Sequence, residues 1–118
     1  MDSRAVREYC LRKPGAWLDE PWEGDEVVKV GDKIFAFLGS PDAAHPGVGL
    51  KCGRDAEEAA ELRRRYPDEV TVSAYIGRYG WNNVRLDGAV SRAEIEELID
   101  ASYDDVVARL PKRQRPGG

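Results

Sequence analysis

The segment EVVKVGDKIFAFLG, residues 26–39, constrains the fold most, because it predicts a β-hairpin that is apolar on both faces. Its central Gly-Asp dipeptide supplies the positive φ that a two-residue hairpin turn requires. If Val30 pairs with Lys33, Val28 faces Phe35 on one side of the hairpin. The other side then carries Val27, Ile34, Ala36 and Leu38. Such a hairpin is expected to be covered on both sides, by a helix on one and by loops or a partner on the other.

Apolar spacing elsewhere predicts three helices and three further strands. The helices are expected at 3–13, 55–66 and 91–110, and the strands at 48–52, 70–75 and 82–88. The last two helices begin with the spacing of a capping box, Asp55 with Glu58 and Ser91 with Glu94. The order α-β-β-β-α-β-β-α predicts an α+β domain, with helices packed on a single antiparallel sheet.

A chain of 118 residues fits one domain, which we expect to span residues 1–110. The basic, proline-bounded tail at 111–118 is expected to be disordered. No apolar run approaches the ~20 residues that span a bilayer, and the first ten residues lack the apolar centre of a signal peptide. These features favour a cytoplasmic monomer without membrane contact.

Catalytic and metal-binding patterns are absent from the sequence. It has no phosphate-binding glycine motif, no nucleophile elbow and no zinc motif, and Cys10 and Cys52 stand apart in a chain with a single histidine. Ser102 and Tyr103 fall on the apolar stripe of the last helix, where packing accounts for them. We therefore expect no enzyme activity, no cofactor and no metal site.

A net charge of −4 means that any nucleic-acid binding must use a local basic patch. Basic side chains occur on the first helix, on the early strands and around the last two strands. The candidate nucleic-acid-binding residues are Lys29, Lys33, Lys51, Arg78, Trp81 and Arg85. Lysine and arginine would contact phosphates while the aromatic ring stacks on bases. We expect the Trp81 indole to be mostly packed, with Asn82 and Asn83 at an exposed edge.

Several stretches together resemble the MmcQ/YjbR family of small bacterial proteins. They occur in order and span nearly the whole chain: YCLRKPGA (9–16), VKVGDKIFAFL (28–38), VGLKC (48–52), WNNVRLDG (81–88) and LIDASYDDVV (98–107). The resemblance implies a frataxin-like, or double-wing, antiparallel sheet and a DNA-binding role that rests on fold analogy. It supplies no catalytic residues. The family motif often has a histidine directly before the tryptophan, where this chain has Gly80.

Three functions remain open at this point. The first is weak, phosphate-driven DNA binding through the candidate residues above. The second is an adaptor role, in which the apolar hairpin at 27–38 presents a sheet face or edge to an unknown protein. The third follows from the frataxin-like fold and assigns iron binding to the carboxylates of the last helix. Those carboxylates are Glu94, Glu96, Glu97, Asp100, Asp104 and Asp105.

Overall fold

The helices form where capping residues precede an apolar stripe. The structure, a computed structural model, describes residues 1–39 and 46–116, so the predicted loop at 40–45 with its histidine lies outside the described residues. Its α-helices are α1 (Ser3–Leu11), α2 (Ala56–Arg65) and α3 (Arg92–Ala108). Each N-cap side chain accepts a hydrogen bond from the N–H three residues later. Two caps, Asp55 and Ser91, are those predicted from the sequence, while α1 is capped by Asp2.

The strands form one six-stranded antiparallel sheet with the spatial order β1-β2-β3-β4-β6-β5. Their bounds are β1 (Ala16–Trp22), β2 (Asp25–Val30), β3 (Lys33–Gly39), β4 (Gly47–Lys51), β5 (Val70–Val72) and β6 (Trp81–Arg85). The predicted α+β class and single antiparallel sheet are confirmed. The predicted element order lacks one strand, β1, which lies at an edge of the sheet and carries Pro21. Acids and a proline remove the apolar alternation that would have indicated it.

A β-bulge changes the register of the predicted hairpin. Val30 pairs with Lys33 as expected, but Lys29 pairs with Ile34 and Val28 with Ala36, so one extra residue enters β3. The prediction that Val28 faces Phe35 is therefore wrong by one position. The bulge places Phe35 and Ala36 together in the buried core.

The helices cover one face of the sheet. A single cluster of buried side chains joins Val6 and Cys10 of α1, Leu62 of α2 and Ile99 of α3 to the sheet. From the strands it takes Val28, Val30, Phe35, Ala36, Val48, Leu50, Val70 and Val84. No helix within the described residues has the length and apolar character needed to cross a membrane.

The segment after α3 is ordered as far as it is described. Residues Lys112–Gln114 form a 3₁₀ turn, and the amide of Gln114 exchanges two hydrogen bonds with Asp32 in the β2–β3 turn, at 2.9 and 3.1 Å. The guanidinium of Arg115 donates to Leu110 and Ala108 carbonyls, which α3 leaves without helical partners. Local polar contacts therefore hold the described part of the predicted tail, through Pro116, against the domain, while the disorder expected from its composition stays a prediction. Residues 117–118 lie outside the described residues.

Candidate functional site

The sheet face opposite the helices, called the open face below, combines aromatic and basic side chains. Side chains alternate across a strand, and paired residues on neighbouring antiparallel strands share a face. Core residues such as Leu50 point to the helices, so their neighbours along each strand point away. The pairings then place these residues on the open face: Trp17, Asp19, Val27, Lys29, Phe37, Gly49, Lys51, Trp81, Asn83 and Arg85.

Trp81 is half-buried and packs edge-on against Phe37, with ring centroids 5.3 Å apart and an interplanar angle of 80°. Gly49 lies between Phe37 and Asn83, where an added Cβ would come within 3.1 Å of Phe37. The absence of a side chain at this position lets Phe37 and Asn83 approach β4 closely. The Trp81 ring is thus partly exposed and does not belong to the buried core.

The prediction that Asn82 lies at an exposed edge is wrong. It is fully buried because β6 lies between β4 and β5, inside the sheet. Its amide nitrogen donates to the Ala59 carbonyl at 3.0 Å, and its oxygen accepts from Arg63 at 2.6 Å. Asn82 therefore joins α2 to the sheet, while Asn83 alone is exposed as expected.

A cavity of about 380 Å³ brings four of the six candidate residues together. Lys29, Lys33, Lys51 and Trp81 all line it, in company with Arg109 from the end of α3. The rest of its wall is mainly apolar and includes Ile34, Phe37, Ile76 and Val106. The cavity therefore offers cationic groups beside aromatic and aliphatic surface, as small-molecule sites commonly do.

Two of the cavity lysines are held by neighbouring groups. Lys29 forms a 2.8 Å ion pair with Asp19 and lies 5.2 Å from the Trp17 ring. The hydrogen bond from Lys29 lowers the pKa of the Asp19 carboxyl. Lys51 is 7% exposed, donates to the Gly53 and Tyr79 carbonyls at 2.7 and 2.8 Å, and lies 3.5 Å from Asp105. Both ammonium groups are therefore engaged by groups of the protein, the Lys51 ammonium by three of them.

Among the cavity cations, Lys33 and Arg109 have nitrogen donors that are available to a ligand. Lys33 is exposed, and its ammonium group has no ion pair or hydrogen bond within the described residues. Arg109 donates to Asp105 through Nε at 3.0 Å, and its side chain is half exposed. Among the described residues, no carboxylate bonds the terminal nitrogens of Arg109. Sequence reasoning missed Arg109 because a basic residue at a helix C-terminus is accounted for by the helix dipole.

The other two candidates do not line this cavity. Arg78 lies on a 3₁₀ turn, Gly77–Tyr79, with its guanidinium 4.8 Å from the Tyr79 ring. Arg85 is at the far end of β6 from Trp81, and bonds Asp87 at 3.0 and 3.2 Å. A continuous basic strip through all six residues is therefore not formed.

The carboxylates of α3 are largely engaged by cations. Asp105 contacts Lys51 and Arg109, Asp100 contacts Lys13, and Glu94 and Glu96 pair with arginines. Tyr9 also donates to Asp100 at 2.8 Å, which together with burial raises the tyrosine pKa to about 12. Within residues 1–39 and 46–116, no group of three His, Cys, Asp or Glu side chains could hold a metal ion.

The cysteines and the buried hydroxyls belong to the framework. Burial raises the pKa of the Cys10 thiol to about 12 and that of Cys52 to about 11, so both stay protonated near neutral pH. Ser102 is fully buried on α3, as its place on the apolar stripe predicts. Its hydroxyl donates to the Phe35 carbonyl at 2.6 Å and accepts from the Lys51 N–H at 3.0 Å. It thereby bridges β3 and β4 where their direct pairing ends.

Comparisons with known proteins place similar chains in bacteria. The family model YjbR matches residues 11–105. Escherichia coli strains K12 and O157:H7 each have a relative, named uncharacterized protein YjbR, that is 34% identical over 110 residues, or 92% of this chain and 89% of the relative. The crystal structure of Deinococcus radiodurans protein DR2400, of domain family DUF419, gives a TM-score of 0.82 at 26% identity over 97% of this chain and 85% of that chain. A Pseudomonas syringae crystal structure shares the fold, with a TM-score of 0.70 at 23% identity over 86% of this chain and 96% of that chain.

Proposed function

The chain belongs to the YjbR family, and on that premise we propose that its open face binds single-stranded nucleic acid, with few phosphate contacts. The observation that carries the proposal is the cavity in which Trp81 and Phe37 lie beside Lys33 and Arg109. Aromatic rings on an open sheet stack on unpaired bases, and neighbouring cations bind the phosphates between them.

The shape of the open face favours a single strand over a duplex. Direct reading of a duplex requires a helix or a two-stranded ribbon that enters the major groove. Here the three helices pack mainly on the other side of the sheet, and only the end of α3 reaches the cavity, through Val106 and Arg109. The aromatic groups lie within the sheet surface. Only unpaired bases can reach ring faces in such a position.

Binding is expected to be weak because few cations are free. Lys29 and Lys51 are held in ion pairs, and the protein carries a net charge of −4. Dissociation constants for non-specific binding are typically about 10⁻⁴ to 10⁻⁶ M at physiological salt. We expect a dissociation constant of roughly 10 to 100 μM at low salt.

The test is fluorescence anisotropy of a labelled thymidine oligonucleotide of about twelve nucleotides, matched to typical site sizes, and of its duplex with the complementary strand. The wild-type protein should bind the single strand more tightly than the duplex. Lys33→Glu should weaken single-strand binding about tenfold, since it replaces a phosphate contact by repulsion. Arg4→Glu is the matched control, because Arg4 is exposed on α1 and its reversal changes the net charge equally. Equal binding by the two variants, or tighter binding of the duplex, would contradict the proposal.

We assign no catalytic step to these residues. Ser102 and Tyr103 are both buried, and their hydroxyls serve structural hydrogen bonds, the latter to the Pro14 carbonyl at 2.5 Å. Cys10 and Cys52 are free thiols, which fits the reducing cytoplasm as the proposed compartment.

A protein partner is the second candidate, and it is favoured by the edge strand β1. Trp17 and Trp22 on that strand are 44% and 59% exposed, an unusual display of large apolar surface. Asp19 and Pro21 interrupt the same strand and oppose edge-to-edge pairing. If Trp22→Ser left nucleic-acid binding unchanged and abolished an interaction recovered from cell extract, this second function would be supported.

A further inference from the structure

The cavity beside Lys33 has the chemistry of a nucleotide site, and we propose that it holds one nucleoside monophosphate unit. Its base would lie against Trp81 and Phe37, and its phosphate would contact Lys33 and Arg109. This inference rests on the proposed function. It specifies which part of a nucleic-acid ligand the cavity binds.

The size and wall of the cavity fit a planar group. At about 380 Å³ it falls within the range of small-molecule sites. Ile34 and Val106 contribute aliphatic surface, and the Phe37–Trp81 pair contributes aromatic surface at one side. A heterocyclic base gains from contact with both kinds of surface.

The polar side of the cavity fits an anion. Lys33 has no internal partner among the described residues, and Arg109 uses only Nε on Asp105. The wall contains one carboxylate, Asp32, which accepts a hydrogen bond from the Gln114 amide at 2.9 Å, against four cationic side chains, Lys29, Lys33, Lys51 and Arg109. A phosphate would supply acceptors to the Lys33 ammonium and to the terminal nitrogens of the Arg109 guanidinium.

Neither part of the ligand is sufficient by itself. A nucleoside lacks the anion that Lys33 and Arg109 require, and inorganic phosphate lacks the base that fills the apolar part. A nucleotide unit can come from a free mononucleotide or from one position of a strand, and both present the same base and phosphate.

The experiment follows the three indole N–H signals and the backbone amides in ¹H–¹⁵N spectra while thymidine monophosphate is added. Thymidine and inorganic phosphate are titrated in parallel, and Trp81→Phe assigns the Trp81 signal. We expect the Trp81 indole and the amides near Lys33 to shift, while the Trp22 indole does not. Thymidine monophosphate should bind at least about fivefold more tightly than either fragment, since one charge-assisted contact gives a factor of that order.

Two variants distinguish binding in the cavity from a general effect of positive surface charge. Lys33→Ala should weaken binding of thymidine monophosphate about fivefold, and Arg78→Ala should leave it unchanged, because Arg78 does not line the cavity. Equal effects of the two substitutions, or affinity no greater than that of phosphate, would overturn the nucleotide site.

The source of the nucleotide is then distinguished by adding the thymidine oligonucleotide. If it displaces the monophosphate from the Trp81 signal, the cavity takes one position of a strand. If both bind together, the cavity is a site for free nucleotide. Oligonucleotide binding without monophosphate binding would overturn this inference and leave the proposed function standing, whereas binding of neither would overturn both.

Discussion

At the scale of single residues, Gly80 shows how the fold departs from the family motif. Its φ is +95°, and an added Cβ would lie 2.1 Å from the Gly53 carbonyl oxygen. The histidine that the family often has before the tryptophan cannot be placed on this backbone without moving Gly53. Any function built on that histidine therefore does not extend to this chain.

Gly80→Ala should destabilise the protein by more than about 3 kcal/mol, because left-handed strain adds to a clash with the main chain. Gly24 is the matched control. It also has a positive φ, +81°, but no atom lies within 4 Å of its added Cβ. Gly24→Ala should therefore cost only about 1 kcal/mol of left-handed strain. Urea unfolding monitored by circular dichroism gives both values, and equal losses would contradict the steric explanation.

Ser102→Ala tests the bridge between β3 and β4. The substitution leaves a buried carbonyl of Phe35 and a buried N–H of Lys51 without their partner, which should cost about 2 kcal/mol in the free energy of unfolding. Ser73→Ala is the control, since the Ser73 hydroxyl makes a single long contact of 3.4 Å to Asn83. If Ser73→Ala proved the more damaging of the two, Ser102 would have no bridging role.

At the scale of elements, the sequence predicted the helices and strands whose apolar residues recur with a regular period. The hairpin around Gly31 and the helix α3 both follow strong patterns, and both occur where expected. The edge strand β1 was missed, because its acids and Pro21 suppress the strand pattern. The bulge in β3 was missed as well, because hairpin pairing rules assume an uninterrupted ladder.

The candidate site was predicted in part for the same reason. Lys33 and Trp81 lie on recognisable strands, so their residue types and positions were sufficient to single them out. Arg109 could be identified as a cavity residue only from the way the end of α3 packs against the sheet. The exclusion of Arg85 required the strand order, which places it away from the cavity. Contacts between elements distant in sequence are not contained in local patterns.

The packing of the tail seen in the structure can be tested by a measurement of stability. Truncation after Leu110 removes the Gln114–Asp32 pair and the Arg115 contacts to the end of α3. We expect a loss of about 1 to 2 kcal/mol in the free energy of unfolding, since these bonds are partly exposed. Arg113→Ala, at an exposed position of the same segment, should change nothing. An unchanged midpoint for the truncated chain would mean that the tail does not pack.

At the scale of the whole molecule, charge pairing decides what the protein can bind. Most basic side chains of the helices lie beside carboxylates, as in the pairs Arg4–Glu8 and Arg92–Glu96. Among the candidate cations, Lys29 and Lys51 pair with carboxylates and Arg85 bonds Asp87, so their positive charge does not form one continuous strip. This distribution favours binding led by base stacking, with phosphates in a secondary role.

The most direct test is the salt dependence of single-strand binding, measured by anisotropy from about 20 to about 200 mM salt. Each neutralised phosphate of a single strand contributes about −0.7 to the slope of log K against log salt. Contacts through Lys33 and Arg109 in the cavity, with Arg78 as a third contact for a strand that extends beyond the cavity, predict a slope no steeper than about −2. A strip that used all six cations, with Lys29, Lys51 and Arg85 added, would give about −4. A slope near −2 would support stacking on the open face, and a slope near −4 or the absence of binding at the lowest salt would contradict it.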